Sequence, residues 1–265
     1  MYFTHLLDEG KSNHVISSAN YGIKWAHNMN DMDDPTENNT VKLLLNTANR
    51  IHSKPVEKKD VISSDMLQTL CSKYEDSCDV IDLRDLSMIL LAYSGFMRIG
   101  EVCNLRCKDI VFNPDHLIVK VTQSKTDIYR DGSEIVISKG TSSACPIDML
   151  KRYVSKANLS LSSDDFLFKP AFRSKNRPSL INKNKKLSYT RTRECIKSKL
   201  RLIAPNSNLG THSLRASGAS TVANASGVSE RCLKRHGRWK TDSAKDGYIK
   251  DSLEKRMFVT QALNL

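Results

Sequence analysis

The C-terminal segment from Thr211 to Tyr248 reads THSLRASGASTVANASGVSERCLKRHGRWKTDSAKDGY. We predict that a helix begins at the start of this segment. His212 and Arg215 are three residues apart, so such a helix places them on one face, a turn from each other. An imidazole and a guanidinium in this arrangement would both meet a single substrate group.

The end of the segment carries a candidate nucleophile. A short second helix is expected after the first, followed by Trp239. A third helical segment, which Thr241 or Asp242 would cap, is then expected to carry Tyr248. We take Tyr248 as the nucleophile.

These residues carry a resemblance to a known family. The run is similar to the C-terminal catalytic block of the tyrosine recombinases, also called phage integrases, with His212-x-x-Arg215 as the family's His-x-x-Arg. Family members carry His or Trp nine residues before the tyrosine, and this chain has Trp239 there. His236 therefore does not occupy the second-histidine position, although its His-Gly-Arg-Trp context invites that assignment.

The composition favours a polyanionic partner. The chain has 265 residues, of which 39% are hydrophobic, enough for one substantial core and a small extra domain. Its formal net charge is +12, and surface lysines and arginines gain free energy by displacing counterions from phosphates. Nucleic acid is the favoured partner, while a ribosomal or membrane-surface protein would show the same charge.

The cysteines and the N-terminus indicate where the protein resides. Seven cysteines, an odd number without a Cys-x-x-Cys pair, are typical of reduced thiols. The sequence contains neither a secretory leader nor a run of eighteen apolar residues. We expect an intracellular protein without membrane contact, nuclear if the host is eukaryotic.

Residues 1–58 and 59–265 are expected to form two domains. Apolar residues recur at helical spacing in Ile16–Met29 and Val41–Ile51, separated by the acidic run DMDDPTENN. The basic linker HSKPVEKKD follows. The family resemblance implies that residues 1–58 are a partial helical core-binding domain, a DNA clamp shortened at its front, and that residues 59–265 are the catalytic domain.

A strongly apolar run, LRDLSMILLAYSGFM, begins at Leu83 and predicts a buried helix with Arg98 at its end. Taken alone, Arg98 is typical of a surface arginine favoured by the dipole at a helix C-terminus. The following residues, RIGEVCNLRCKDI, resemble the first-arginine box of the family. This resemblance implies that Arg98 binds the scissile phosphate and that Glu101 orients a catalytic side chain.

Residues 109–138 alternate between apolar and polar types, which predicts short strands in a small antiparallel sheet. The turn between them carries TQSKTDIYRDG, where Lys125 resembles the mobile hairpin lysine that the family uses as general acid. Lys120, Arg130 and Lys139 are alternatives. Further on, the polar run FRSKNRPSLINKNKK is expected to be a solvated loop.

Two later helices carry candidate contacts. The segment SYTRTRECIKSKLRLI predicts a basic helix on which some charges are merely solvated and others contact DNA phosphates; the latter are Arg191, Arg193 and Lys197. Ser252 is expected to cap a last helix, which either packs on its own domain or, as the family resemblance implies, docks on a neighbouring protomer.

The resemblance also assigns the phosphate-binding side chains. Charge builds on the non-bridging oxygens when a phosphodiester is attacked, so a rigid cationic group must sit there. Arg98 and Arg215 supply planar guanidinium forks for these oxygens, and Trp239 can donate its indole N–H to the same phosphate.

Proton transfer is assigned to two further side chains. His212 would accept the proton of Tyr248 or hold the phosphate, two roles that the sequence leaves open. Lys125 would protonate the departing 5′ oxygen, which otherwise leaves as a basic alkoxide. The family mechanism joins the tyrosine to the 3′ phosphate and conserves the bond energy, so no cofactor, ATP or metal is expected.

We therefore expect a mainly α fold with a small antiparallel β-sheet, the catalytic fold of a tyrosine recombinase behind a partial core-binding domain. The expected function is site-specific recombination or integration of double-stranded DNA by a homo-tetramer on two DNA sites. Two alternatives stay open. One is a truncated or domesticated DNA-binding protein that no longer recombines, and the other is a type IB topoisomerase-like nicking enzyme.

Overall fold

The computed structural model describes residues 1–52, 59–125, 127, 129, 131–174 and 177–263. The chain divides into two compact units, Met1–Lys58 and Lys59–Leu265. Within the described residues, every helix is too short or too polar to cross a membrane.

The first unit contains three helices, α1 (Tyr2–Asp8), α2 (Asn13–Asn28) and α3 (Asn39–His52). The two segments with apolar helical spacing correspond to α2 and α3, as predicted. Between them, Asp34 caps a single 3₁₀ turn by accepting a hydrogen bond from the backbone N–H of Thr36 at 2.9 Å. A small apolar core holds the three helices together, formed by Phe3, Leu6, Ile16 and Ala48.

The second unit is built on further helices and short strands. Its helices are α4 (Ser64–Ser72), α5 (Val80–Ser94), α6 (Ile99–Asn104), α7 (Pro146–Lys156), α8 (Tyr189–Arg201), α9 (Thr211–Asn224), α10 (Glu230–His236), α11 (Asp242–Asp246) and α12 (Leu253–Gln261). Helix α5 is the centre of this unit, because most of its residues are buried and it packs against α7, α8 and α9. The mainly α fold with small antiparallel sheets confirms the predicted fold class.

The end of α5 differs from the prediction. The helix ends at Ser94, so Arg98 is not its last residue but the N-cap of α6. Phe96 adopts a left-handed conformation with φ of 45°, and the backbone N–H of Met97 donates to the carbonyl of Ala92 at 3.1 Å, which closes the turn. Phe96 and Met97 are both buried, so the apolar pattern continued beyond the helix and concealed where it ends.

The predicted antiparallel sheet is present. It consists of β1 (Ile110–Phe112), β2 (His116–Val121) and β3 (Ser133–Ser138), in that spatial order. Ile110 pairs with Val119, which in turn pairs with Ile135. The inward-facing residues of β2 and β3 are buried and belong to the core around α5.

The polar run after Pro170 was wrongly predicted to be only a loop. It contains an antiparallel hairpin of β4 (Ala171–Ser174) and β5 (Arg177–Leu180). Leu180 of β5 packs against the core around α5, but the side chains of β4 are half-buried or exposed, so the hairpin is held mainly by backbone pairing. An alternating hydrophobic pattern, the signal on which a strand prediction depends, is therefore missing from this stretch.

The C-terminal segment follows the predicted succession of helices with one difference. Thr241 caps α11, since its hydroxyl accepts a hydrogen bond from the backbone N–H of Ala244 at 3.2 Å. The helix ends at Asp246, so the prediction that it carries Tyr248 was wrong. Gly247 follows as the C-cap, and the backbone N–H of Tyr248 donates to the carbonyl of Lys245 at 2.9 Å, a single tight turn beyond the helix.

Candidate active site

Arg98 and Glu101 are joined at the start of α6. The carboxylate of Glu101 accepts hydrogen bonds from the backbone N–H and from Nη1 of Arg98, both at 2.9 Å. The hydroxyl of Ser124 donates to the same carboxylate at 2.9 Å and accepts from Arg98 Nη1 at 3.0 Å. Glu101 is only 3% exposed, and it fixes the guanidinium of Arg98 from behind.

Glu101 remains ionised in this buried position. Burial alone would raise its pKa, but the charge of Arg238 and the hydrogen bonds from the Arg98 backbone, Ser124 and the Arg98 side chain outweigh burial and lower the pKa. The carboxylate therefore neutralises part of the positive charge that the arginines bring into this region.

A cleft of about 450 Å³ opens beside Arg98. Four of the residues predicted from the sequence line it, together with Tyr189: they are Arg98, Glu101, Lys125 and His212. Lys125 lies on the loop after β2, and His212 is the second residue of α9; both side chains are exposed. The alternatives Lys120 and Lys139 do not line this cleft within the described part of the chain, and Arg130 lies outside the described residues.

Arg215 lies deeper than His212, although both are on α9. It is 1% exposed, and its Nη1 and Nη2 donate to the backbone carbonyls of Phe96 and Gly237, the latter at 2.7 Å. Burial, together with the nearby positive charges of Arg98 and Arg238, lowers the pKa of Arg215 to about 10. Its guanidinium therefore still carries a full charge at neutral pH.

Two aromatic rings cover the guanidinium of Arg215. Its central carbon is 4.9 Å from the ring centroid of Trp239 and 4.8 Å from that of Tyr248. The two ring centroids are 5.7 Å apart. Trp239 is 6% exposed, and its indole Nε1 is buried without a hydrogen-bond partner among the described residues. Such a donor is available to an anion that enters the site.

Arg238 was not predicted as a site residue. Its Nη2 donates to Glu101 Oε2 at 2.8 Å, which links the Trp239 segment to the start of α6. The only feature of the sequence that could have indicated a role for Arg238 in the site is its position directly before Trp239. His236 does not line the cleft beside Arg98. Its Nε2 lies 2.7 Å from the carbonyl oxygen of Ser94, and its ring packs edge-on against Phe96.

The basic residues of α8 lie apart from the cleft. Arg191 and Arg193 are exposed and Lys197 is half-buried, and Arg191 forms an ion pair with Glu194 at 3.1 Å. In the described part of the chain, no group of three or more His, Cys, Asp and Glu side chains is arranged to hold a metal ion. The predicted residues thus form two neighbouring groups: Arg98, Glu101, Lys125 and His212 line the cleft, and Trp239 and Tyr248 pack on Arg215.

Comparison with known proteins identifies the family. The pattern of the phage integrase family matches residues 60–254, well over half of the 265 residues. The chain belongs to the phage integrase family. The matched span contains every residue of the two groups described above, so both groups lie within the part that the family shares.

Relatives in this family support the same assignment. The chain is 24% identical over 273 aligned positions to the integrase/recombinase xerD homolog of Selenomonas ruminantium. This alignment covers 99% of the chain and 74% of the relative. It is 22% identical over 171 positions to the recombinase cre of Escherichia phage P1, and this match covers 63% of the chain but only 48% of the relative.

A solved structure of an integrase shows the same fold. The lambda integrase dimer bound to a COC′ core site aligns with 94% of this chain and 62% of its own chain, with a TM-score of 0.56 and 18% identity. At this identity the likeness establishes the fold of the phage integrase family and leaves the chemistry to be argued from the side chains.

Proposed function

We propose that this protein is a site-specific DNA recombinase or integrase that cleaves and rejoins DNA through a covalent 3′-phosphotyrosine intermediate on Tyr248. The main support is one observation: the buried carboxylate of Glu101 holds Arg98 and Arg238, Arg238 shares the Phe96 carbonyl with Arg215, and the ring of Tyr248 lies over Arg215. Membership of the phage integrase family supports DNA breakage and joining as the class of reaction.

Binding of the phosphate is assigned to Arg98, Arg215 and Trp239. Arg98 uses Nη1 for Glu101 and Ser124, and it lines the cleft. Arg215 is covered by the ring of Tyr248, so this ring must move aside before a phosphate oxygen can contact the guanidinium. Each donor lost from such a site slows the reaction about 10²- to 10³-fold, as for oxyanion-hole donors.

The cleavage step balances with His212 and Lys125, which line the cleft, and with Tyr248, whose ring lies over Arg215 outside the cleft lining. The phenol oxygen of Tyr248 attacks the phosphorus, and its proton passes to His212 or to a water that His212 holds. The bond from phosphorus to the 5′ oxygen breaks, and Lys125 supplies the proton for the leaving oxygen. Attack by another 5′ hydroxyl reverses these steps, so joining requires no external energy source.

Double-stranded DNA is the proposed partner. The positive charge lies in the second unit, which carries +13, since residues 1–58 contain six lysines and arginines against seven aspartates and glutamates and carry −1. DNA affinity should therefore depend on the catalytic unit and its exposed basic helix, with phosphate contacts from Arg191, Arg193 and Lys197. The identification of residues 1–58 as a partial clamp stays a prediction.

Assembly into a homo-tetramer on two DNA sites is part of the proposal. Helix α12 buries none of its residues on its own unit, and its large apolar side chains are exposed. Such a face favours docking on a neighbouring protomer over packing on its own domain. Deleting the chain from Ser252 onward should abolish crosslinked multimers on DNA; an unchanged crosslinking profile would refute this part.

Covalent trapping tests the central chemistry. A pool of nicked duplexes with random sequence is incubated with the protein, and protein–DNA adducts are isolated under denaturing conditions. The wild-type protein should form an adduct that Tyr248→Phe loses. Tyr189→Phe is the matched control, because Tyr189 also lines the cleft, and it should retain the adduct.

Three outcomes separate the candidate functions. Retained DNA binding in a gel-shift assay without any adduct would favour the non-recombining DNA-binding protein. Adduct formation with relaxation of a supercoiled plasmid, but without exchange between two recovered sites, would favour the topoisomerase-like enzyme. Exchange of strands between paired sites is the result expected for the recombinase.

A further inference from the structure

Arg238 has a backbone conformation that is unusual for its type. Its φ is 56°, in the left-handed region that glycine adopts freely and other residues adopt rarely. It lies directly between Gly237, the C-cap of α10, and Trp239. A residue other than glycine is thus strained at this position, and its side chain must make contacts that compensate for the strain.

Those contacts are numerous, and the side chain that makes them is only 11% exposed. Nη1 of Arg238 donates to the carbonyls of Gly95 at 3.1 Å and His236 at 3.2 Å. Nη2 donates to the carbonyl of Phe96 at 3.3 Å and to Glu101 Oε2 at 2.8 Å. One guanidinium therefore joins the turn after α5, the first turn of α6 and the segment that carries Trp239.

Two of these acceptors are shared with the proposed phosphate-binding arginines. Glu101 accepts from Arg238 through Oε2 and from the Arg98 side chain through Oε1. The carbonyl of Phe96 accepts from Arg238 and also from Arg215. Arg238 is thus linked to each of the two guanidiniums through one shared acceptor.

We propose that Arg238 is a positioning residue, which fixes the separation and orientation of Arg98 and Arg215 and so prepares the site for a phosphodiester. Arg238 acts through Glu101 and the Phe96 carbonyl and does not contact the reacting atoms. This inference rests on the proposed recombinase function. Without Arg238, Glu101 keeps only Arg98 and Ser124 as side-chain partners among the described residues, and the carbonyl of Phe96 loses one of its donors.

A structural role alone would look different in an experiment, and the chain offers a matched control. Arg152 also joins backbone carbonyls, since its Nη2 donates to those of Tyr74, Glu75 and Ser77 at 3.2, 2.6 and 3.1 Å. It does not line the cleft beside Arg98. Arg152→Met should therefore lower the melting temperature without changing the cleavage rate of the folded protein.

The experiment uses a nicked duplex recovered from the random-sequence pool by the wild-type protein. Adduct formation is measured in a single turnover at saturating full-length protein, with DNA affinity by gel shift and melting temperature in parallel. Arg238→Gly should fold, because glycine suits the backbone. Its cleavage rate should fall about tenfold to a hundredfold, as misplacement by about 1 Å does, while DNA affinity stays within about twofold of wild type.

Two further variants test the route through Glu101. Arg238→Lys keeps the charge but lacks the planar fork, so it should recover about threefold of the rate lost in Arg238→Gly and stay about threefold or more below wild type. In a Glu101→Gln background, adding Arg238→Gly should slow cleavage by less than about threefold, because both changes break one shared contact.

Different results would overturn this inference. A wild-type cleavage rate in Arg238→Gly, or equal slowing in Arg152→Met, would refute the positioning role and leave the recombinase function intact. Should Arg238→Gly fail to fold, Arg238→Lys decides, and a rate within about twofold of wild type would refute the role. Absence of any adduct with the wild-type protein would overturn the proposed function and this inference together.

Discussion

Gly237 offers the sharpest structural test of the site. A Cβ atom at this position would lie 1.9, 2.1 and 2.4 Å from three ring carbons of Trp239. The backbone of Gly237, with φ of −74° and ψ of −9°, is acceptable for alanine, so the obstacle to a methyl group is contact with the indole rather than backbone strain. The ring of Trp239 also packs against Phe96 and Tyr248, with centroids 6.1 and 5.7 Å apart, so a displaced indole loses these contacts as well.

We expect Gly237→Ala to displace the indole from its slot. Overpacking of this kind costs about 1–3 kcal/mol, and each kcal/mol lowers the melting temperature of a chain of this size by roughly 2–4 °C. The displaced ring no longer covers Arg215 or presents its N–H to a phosphate, so adduct formation should slow about 10²- to 10³-fold, as for a lost oxyanion donor. Scanning fluorimetry and the single-turnover trapping assay measure the two effects.

Gly247→Ala is the matched control for this prediction. Gly247 directly precedes Tyr248, has φ of −60° and ψ of −20°, and its added Cβ would meet only the carbonyl oxygens of Ser243 and Ala244 at 3.6 and 3.7 Å. These are ordinary contacts, so the melting temperature should hold or rise slightly. A wild-type melting temperature and cleavage rate in Gly237→Ala would refute the packing described for Trp239.

Three further outcomes follow from the same geometry. Lys125→Ala should slow cleavage of a normal duplex, but it should cleave a duplex with sulfur in place of the bridging 5′ oxygen at nearly the wild-type rate. A thiol with a pKa of about 8.5 leaves without a general acid. Equal slowing on both substrates would exclude Lys125 from this role. Gly218→Ala should destabilise the fold by about 1–3 kcal/mol in urea titrations, since its Cβ would lie 2.3 Å from the carbonyl oxygen of Tyr93, and unchanged stability would contradict the close approach of α9 and α5. Burial lowers the pKa of His236 below its usual 6.5, so the imidazole takes up a proton at higher pH in the unfolded chain than in the folded one. The stability from this group is complete above about pH 6.5 and is lost as the pH falls through the lowered pKa. His236→Gln should flatten the dependence of unfolding free energy on pH between 7 and 5, and an unchanged slope would contradict this.

Much of the C-terminal segment could be predicted because its signals are local. Caps such as Thr241 lie within three residues of the N–H groups that they accept from, and the spacing of His212, Arg215, Trp239 and Tyr248 is a property of the sequence itself. The alternation of β2 and β3 likewise appears in neighbouring residues, since one face is buried and the other is exposed.

The features that were missed depend on contacts between distant parts of the chain. Arg238 binds Gly95, Phe96 and Glu101, all more than 130 residues earlier, and no local pattern indicates such partners. The hairpin of β4 and β5 is mostly polar and exposed, so backbone pairing forms it without a hydrophobic signal. The burial of Arg215 under two rings also depends on packing that the His-x-x-Arg spacing does not contain.

The most direct test of the central claim is to locate the covalent bond on the chain. Adducts trapped on nicked DNA are digested with nuclease and trypsin, and the peptides are analysed by mass spectrometry. Trypsin cuts after Lys245 and Lys250, so we predict a 3′-phosphonucleotide on the peptide from Asp246 to Lys250, which contains Tyr248. A nucleotide on the peptide from Leu187 to Arg191, which contains Tyr189, or on no tyrosine peptide at all, would contradict the assignment of Tyr248 as nucleophile.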